Sequence, residues 1–325
     1  MKNLVQVTDS QTGLSFTMDT GNKLQTKDDG IAFVQSQLGV LDPKLYETKY
    51  QGITFEEYIP IDSSDPEWAD TASYISYDAV TMGKFIGANA KDLPNVAINA
   101  KKTDIPLYYG GIEHGWSLDE LRKSQQMRIP LDTTGAAMKV RGFKEHQQKV
   151  AYDGDASRGL TGLFNNANVP ETVATGFDPA TATGDEWVDM LNTQYENVYT
   201  TTANVHRPNV QLVPQNLWKY LLKPMNAVTT TTILQYYLEN SYAKSLGVNL
   251  IVRPVFQLNN IGVNSTGRIV TYELNPENLG MKVPMAIRSI APQMEGLMVS
   301  VPSEYKFGGI FFRYPLSALY TDLPA

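Results

Sequence analysis

Residues 136–170 read AAMKVRGFKEHQQKVAYDGDASRGLTGLFNNANVP. On a helical wheel at about 100° per residue, Val140, Phe143, Val150 and Ala151 fall in one narrow stripe with Ala136. Lys139, Glu145, His146 and Lys149 fall outside it, and Gln147 is the only polar residue within it. Asp132 or Thr133 can cap the start, because a side-chain oxygen accepts from free N–H groups of the first turn. Gly154 suits the left-handed position just past the end. From Asp132 to Tyr152 the spacing predicts a helix about 30 Å long at ~1.5 Å per residue. Nothing on this beam resembles a catalytic set.

The loop after the helix invites chemistry and then fails the tests for it. Gly154-Asp-Ala-Ser-Arg-Gly159-Leu-Thr-Gly162 is glycine-rich. A phosphate loop needs a strand before it, a helix after it and Lys-Ser/Thr at its end. Here a helix precedes, and no lysine follows the last glycine. Gly154, Gly159 and Gly162 are read instead as residues that let the chain turn tightly. Asn165 and Asn166 can bond the local backbone. Asp153 and Asp155 lack the further oxygen ligands and distal Glu that a calcium loop requires.

Upstream, Pro130 interrupts or bends the rod, since it has no N–H and clashes with the preceding turn. Ser117-Leu-Asp-Glu120 before it fits a capping box. Leu118, Leu121 and Met127 give the helix that follows a modest apolar face. Residues 50–109 have another texture. Ile53, Phe55, Tyr58, Ile59 and Ile61 form a strand-like run, and Tyr74 to Met82 forms another. Pro60, Pro66, Gly83, Gly87, Pro94 and Pro106 punctuate them. So long a stretch exceeds an ordinary loop. It reads as a projecting hairpin or, alternatively, a small β-domain. A two-stranded hairpin alone is marginal in water, so it needs a surface to lie on. Residues 1–27 read as an extended arm. Asp28 or Asp29 caps a short helix that ends at Gly39, and a further turn follows Pro43.

Downstream, Thr/Ala/Gly residues up to Gly184 mark a boundary. Trp187, Met190, Leu191, Tyr195 and Val198 then recur at helical spacing. Val210–Val213, Leu250–Val252 and Arg268–Tyr272 read as strands, with short helices at Leu217–Leu222 and Ile233–Leu238. The end, Met298 to Tyr320, is strand-rich.

The chain has 325 residues, enough for one large domain or two and for a core without disulfides. It contains no Cys, which excludes thiolate catalysis and Cys-based zinc sites. The start MKNLVQVTDSQTG has no apolar signal segment, and no uncharged run approaches ~18 residues, so a soluble, unsecreted chain is expected. The net charge of −7 argues against binding nucleic acid by broad phosphate neutralisation, though not against a surface that faces it. Charged residues make up 19%, which fits a surface buried against neighbours as well as ordinary variation. His114, His146 and His206 share no metal spacing and read as surface or interface residues. Gly115-Trp-Ser-Leu-Asp119 is one residue off a nucleophile elbow, and its Ser already has a capping role. Asn264-Ser-Thr266 matches a glycosylation acceptor, which means little without a secretory signal. No catalytic, cofactor-binding or metal-binding residue is nominated.

The order of parts resembles the major capsid protein of tailed bacteriophages, of the Hong Kong 97-type α+β fold. Many such proteins have a spine helix ending in a short "Gly-Asp… Gly-Leu-Asn" segment. Tyr152-Asp-Gly-Asp155 and Gly159-Leu-Thr-Gly-Leu-Phe-Asn165 have that form here. The stretch Phe307-Gly-Gly-Ile-Phe-Phe-Arg-Tyr-Pro315 is similar to closing strands of the peripheral domain. The likeness is strongest to a phage-derived family first catalogued as conserved and of unknown function. It implies an arm at 1–48, an extended hairpin loop at 49–112 and a peripheral domain at 113–183 and 286–325. The spine helix lies at about 132–152, and an axial α/β domain at 184–285. Ala136, Val140, Phe143, Val150, Gly154, Gly159, Gly162 and Pro130 become the candidate structural and assembly residues. Pro130 and the absence of a long helical segment before the arm depart from the pattern. Scaffolding then comes from another chain or from a segment removed earlier.

The function implied is self-assembly, as pentamers and hexamers, into an icosahedral head enclosing double-stranded DNA. The chain would act in the virion after assembly in the host bacterial cytoplasm. Its partners would be copies of itself, with portal, scaffolding or decoration proteins, and no membrane. Some relatives join subunits by Lys–Asn isopeptide bonds; no positions single out such a pair here. An encapsulin-like compartment shares the fold, and a soluble α/β enzyme with an unrecognised site is the rival from another class.

Overall fold

The computed structural model describes residues 4–8, 15–19, 52–80, 97–127 and 131–324. The chain forms two compact units, Met1–Gly52 and Ile53–Ala325. In the first, β1 (Leu4–Thr8) pairs antiparallel with β2 (Ser15–Asp19). In the register Val5 stands opposite Met18 and Val7 opposite Phe16, within the stretch expected as an arm. The helix expected after Asp28 and the turn after Pro43 lie outside the described residues, as does Pro130.

The second unit opens with α1 (Phe55–Tyr58) and β3 (Ile61–Asp62). The strand expected at Ile53–Ile61 is therefore corrected to a helical turn. Phe55, Tyr58 and Ile59 sit at i, i+3 and i+4, and all three are buried. β4 (Thr71–Val80) and β5 (Ala97–Ser117) follow. β5 is 21 residues long and changes partner midway. Residues 97–106 pair antiparallel with β4, and residues 107–117 pair with β13 (Met298–Gly308) on the other edge. Pro106, which has no N–H, sits at the changeover.

α2 (Leu118–Met127) starts at the expected capping box. The Ser117 N–H donates to Glu120 Oε2 at 2.9 Å, and the Glu120 N–H donates to Ser117 Oγ at 3.2 Å. The long helix is α3 (Leu131–Asp153). β6 (Glu171–Val173) leads to α4 (Gly184–Thr201), which buries Trp187, Leu191, Tyr195 and Val198 at the expected spacing. Thr183 and Glu186 cap α4 reciprocally. Then come β7 (Val210–Pro214), α5 (Trp218–Leu221), α6 (Ile233–Asn240), α7 (Tyr242–Ser245), β8 (Ile251–Val255) and β9 (Arg268–Tyr272). β10 (Leu279–Lys282), β11 (Met285–Ser289), β12 (Gln293–Glu295), β14 (Ile310–Phe312) and β15 (Ala318–Asp322) complete the unit.

Among the described residues the strands of this unit make three sheets. Their orders are β14-β10-β3, β11-β13-β5-β4 with β12 beside β13, and β6-β15-β9-β7-β8. The last strand, grouped by the sequence reading with residues 113–183, here lies inside the third sheet. All five of its residues are buried, which suits a central strand covered on both faces. Two large apolar clusters result. One joins the C-terminal half of α3 to β10, β13 and β14; the other surrounds Trp187, Leu191 and Tyr237.

Candidate functional site

The long helix lies along β5 and β13, and glycine sets how closely. A methyl at Gly142 would come within 3.0 Å of Ile112 Cδ1, and one at Gly135 would run into the rings of His114 and Trp116. On the strand, a methyl at Gly110 would strike the Tyr305 ring. The helix therefore beds its glycine seam on the sheet, and the buried face is turned toward Lys139. Phe143, Gln147, Val150 and Ala151 are buried as the wheel places them. Ala136 and Val140 are exposed, the latter to 44%, which corrects their place in a packed stripe.

Lys139 and His146, expected outside the stripe, take part in the contact. Lys139 is buried, and its Nζ donates to Ser303 Oγ at 2.8 Å, Ser289 Oγ at 3.1 Å and the Val301 carbonyl at 3.2 Å. Three acceptors satisfy an ammonium that hydrophobicity alone would place in water. Phe143 meets Tyr305 with ring centroids 4.8 Å apart. His146 Nδ1 lies 2.9 Å from Tyr305 Oη, and its ring meets Phe307 edge-on at 5.2 Å. Burial, with Arg158 nearby, pushes the imidazole below its usual pKa.

The glycine loop folds back on the end of the helix. Gly154 has φ of 71°, and its N–H donates to Val150 O at 3.0 Å. Gly162 has no room for a Cβ, because the Tyr152 carbonyl lies directly against it. Gly159, with φ of 68°, ends a short 3₁₀ turn in open space. Asn165 accepts from the Gly162 N–H at 2.8 Å and donates to the Asp153 carbonyl at 2.6 Å. Asp155 accepts from the Ser157 N–H at 3.1 Å. Asp155 and Asn165 thus supply internal hydrogen bonds of a tight turn.

Below the loop lies a cluster that the sequence reading missed. Arg268 on β9 donates from Nε to Asp322 Oδ1 at 2.6 Å and from an Nη to Oδ2 at 3.0 Å. Its other Nη donates to the Phe164 carbonyl at 2.9 Å and lies 3.0 Å from Glu171 Oε1. The guanidinium stands 4.8 Å from the Tyr320 ring. Arg268 and Asp322 are 5% and 1% exposed, so the pair is dry, and it ties the loop, β6, β9 and β15 together. Nothing local marks it, because its partners stand 54 residues apart.

A long helix bedded on β5 and β13, a glycine loop folded against its end and a separate five-stranded sheet make up the frame of this unit. The family model described as "Major capsid protein" matches residues 82–323. The chain belongs to the major capsid protein family. The solved structures of this fold cover nearly all of it. The capsid of Myoviridae phage XM1 is 15% identical with a TM-score of 0.75, covering 89% of this chain and 98% of that one. The capsid of a native GTA particle is 12% identical with a TM-score of 0.61, covering 91% and 99%. A chain of Mycobacterium phage Adephagia is 11% identical with a TM-score of 0.60, covering 90% and 97%. No curated protein matches this chain. The likenesses establish the α+β, Hong Kong 97-type fold.

The capsid protein also carries a tethered acidic loop. Asp62 Oδ2 lies 2.6 Å from Lys282 Nζ, and Asp65 Oδ2 lies 2.8 Å from the same ammonium. Burial alone would raise the Asp62 pKa, but hydrogen bonds from Lys282 and Ser64 outweigh it and hold the carboxyl at about 2, against 3.8 ordinarily. A depressed carboxyl pKa stabilises the fold above the unfolded value, and that stabilisation is lost as pH falls through the folded one. Stability worth about 2 kcal/mol is therefore expected to disappear between about pH 4 and pH 2. In thermal melts across that window, Asp62→Asn is expected to flatten the decline. An unchanged decline would remove Asp62 as its source.

Proposed function

We propose that the chain assembles as pentamers and hexamers into an icosahedral phage head that encloses double-stranded DNA. Its role is structural rather than catalytic. The observation that carries this reading is the ribbon of β4 with the first half of β5. Ala72 and Ile105 are buried at its base, while Ile75 further out is 56% exposed. Such a ribbon gains a second surface only from a neighbour.

In this reading residues 1–48 are the arm and 49–112 the loop laid across a neighbouring copy. Residues 113–183 and 286–325 form the peripheral part around the spine. Residues 184–285, with the last strand in their sheet, meet their copies around five- and six-fold axes. Many identical modest contacts add up over closed symmetry. Portal, scaffolding or decoration proteins complete the head, the inner surface faces DNA without reading its sequence, and assembly occurs in the host bacterial cytoplasm. Electron microscopy of the purified protein in negative stain is expected to show closed shells of many subunits. A monomer or small oligomer under all assembly conditions would overturn the proposal.

Deleting residues 1–27 is expected to lower shell yield while leaving the melting of the subunit body unchanged. An arm ordered on assembly must gain contacts that exceed its lost entropy. Unchanged yield would remove that role from the arm.

A further inference from the structure

The joint between α3 and β13 carries an ionisable ring in a closed setting. His146 is half-buried on α3, and its Nδ1 lies 2.9 Å from Oη of Tyr305, a buried residue of β13. The imidazole stands 5.9 Å from the Tyr305 ring and 5.2 Å from the Phe307 ring, edge-on to both. Tyr108 and Tyr109 of β5 and Asp155 and Arg158 of the glycine loop close the other side. The gap enclosed is about 10 Å³, room for no more than one water. Phe143 and Val150, on the same helix, are buried on either side of His146 in the chain.

The charges that face the ring come from two elements. The glycine loop supplies Arg158 and Asp155, and α3 itself supplies Lys149. β13 and β5 contribute phenols, of Tyr305, Tyr108 and Tyr109. Arg158 is held in place: its guanidinium stands 5.3 Å from the Tyr108 ring centre, and its backbone carbonyl accepts from Tyr108 Oη at 2.9 Å. Asp155 lies 3.6 Å from Arg158, so its charge is already shared with that cation. A proton on His146 therefore adds a positive charge beside two cations, in a gap too small to hydrate it. Burial first and Arg158 second hold the imidazole pKa below the ordinary 6.5. We propose that His146 is a pH-sensitive switch, and that its protonation displaces the imidazole from Tyr305 and Phe307 and loosens the C-terminal half of α3 from β13. Because the folded-state pKa is depressed, the joint is fully stable above the unfolded value of 6.5 and weakens as pH falls through the folded value. Asp62, held at about 2, is still ionised there and plays no part.

Proton NMR of the imidazole and hydrogen–deuterium exchange test the switch on free subunits, with no need of shells. In the wild-type chain His146 is expected to titrate below 6.5. Amide protection in residues 143–150 and 303–308 is expected to fall several-fold from about pH 7.5 to about pH 5.5, after correction for the intrinsic exchange rate. His146→Gln keeps a polar side chain that cannot be protonated, and it is expected to hold the same protection at both values. Arg158→Gln leaves His146 in place and removes the loop cation. It is expected to move the His146 titration up toward 6.5 and to shrink the loss of protection, which a merely structural role for Arg158 would not do. A wild-type His146 that titrates at or above 6.5, or an equal pH-dependent loss in His146→Gln, would overturn the switch. If His146→Gln does not fold, the wild-type titration and its shift in Arg158→Gln decide the matter, and an unshifted titration would overturn the part given to Arg158.

Discussion

Asp322→Ala is expected to destabilise the subunit by about 3–5 kcal/mol, read from urea unfolding. The loss is large because Arg268 stays behind, 5% exposed, with its bidentate partner gone. The Glu171 carboxylate remains at 3.0 Å, but its side chain is half exposed and cannot replace a dry bidentate pair. The Val263 N–H, which donates to Asp322 Oδ2 at 2.9 Å, also loses its acceptor. A buried ion pair replaced whole by apolar residues of similar size is often tolerated. The double variant Arg268→Met with Asp322→Leu is therefore expected to recover most of the loss. A double variant no better than Asp322→Ala would mean that the orphaned guanidinium is not the source of the loss.

Phe143→Asp is expected to yield no soluble subunit and no shells. Phe143 is 5% exposed and packs tilted against Tyr305 and edge-on to Phe307, which stack on each other. Removing a buried Phe side chain costs about 3–5 kcal/mol, and placing a carboxylate in the vacated space adds several more. Together these approach the whole stability of an ordinary domain. Phe143→Leu, which keeps the site apolar, is expected to cost about 1 kcal/mol and to assemble. Soluble protein and normal shells from the Asp variant would show that the packed face of α3 has been misassigned.

The local signals in the chain were legible, and the long-range ones were not. The helix from about 132 to 152, the Ser117–Glu120 cap, the left-handed Gly154 and the spacing around Trp187 all depend on residues within a few positions of one another. The packed face of α3 was half legible. Hydrophobic periodicity gave Phe143, Val150 and Ala151, but it assigned no weight to Gly135 and Gly142. Those glycines turn the helix so that Lys139 is buried and Val140 is exposed. The helical turn at Phe55–Tyr58 was hidden because four residues satisfy either period. Arg268 with Asp322, and the last strand with β9, are pairings across the chain that no local spacing encodes.

The partner change in β5 has a mechanical consequence. One unbroken backbone runs from the ribbon at Ala97 to the bed of α3 at Ser117. Where two elements meet through a loop, a push on one can be absorbed by rotation at the joint. Here there is no joint: tension or tilt at the outer half of the strand is delivered through covalent bonds to the sheet under the long helix. A displacement of the ribbon's far end therefore reaches the β5–β13 pair along one continuous strand, with no loop between them.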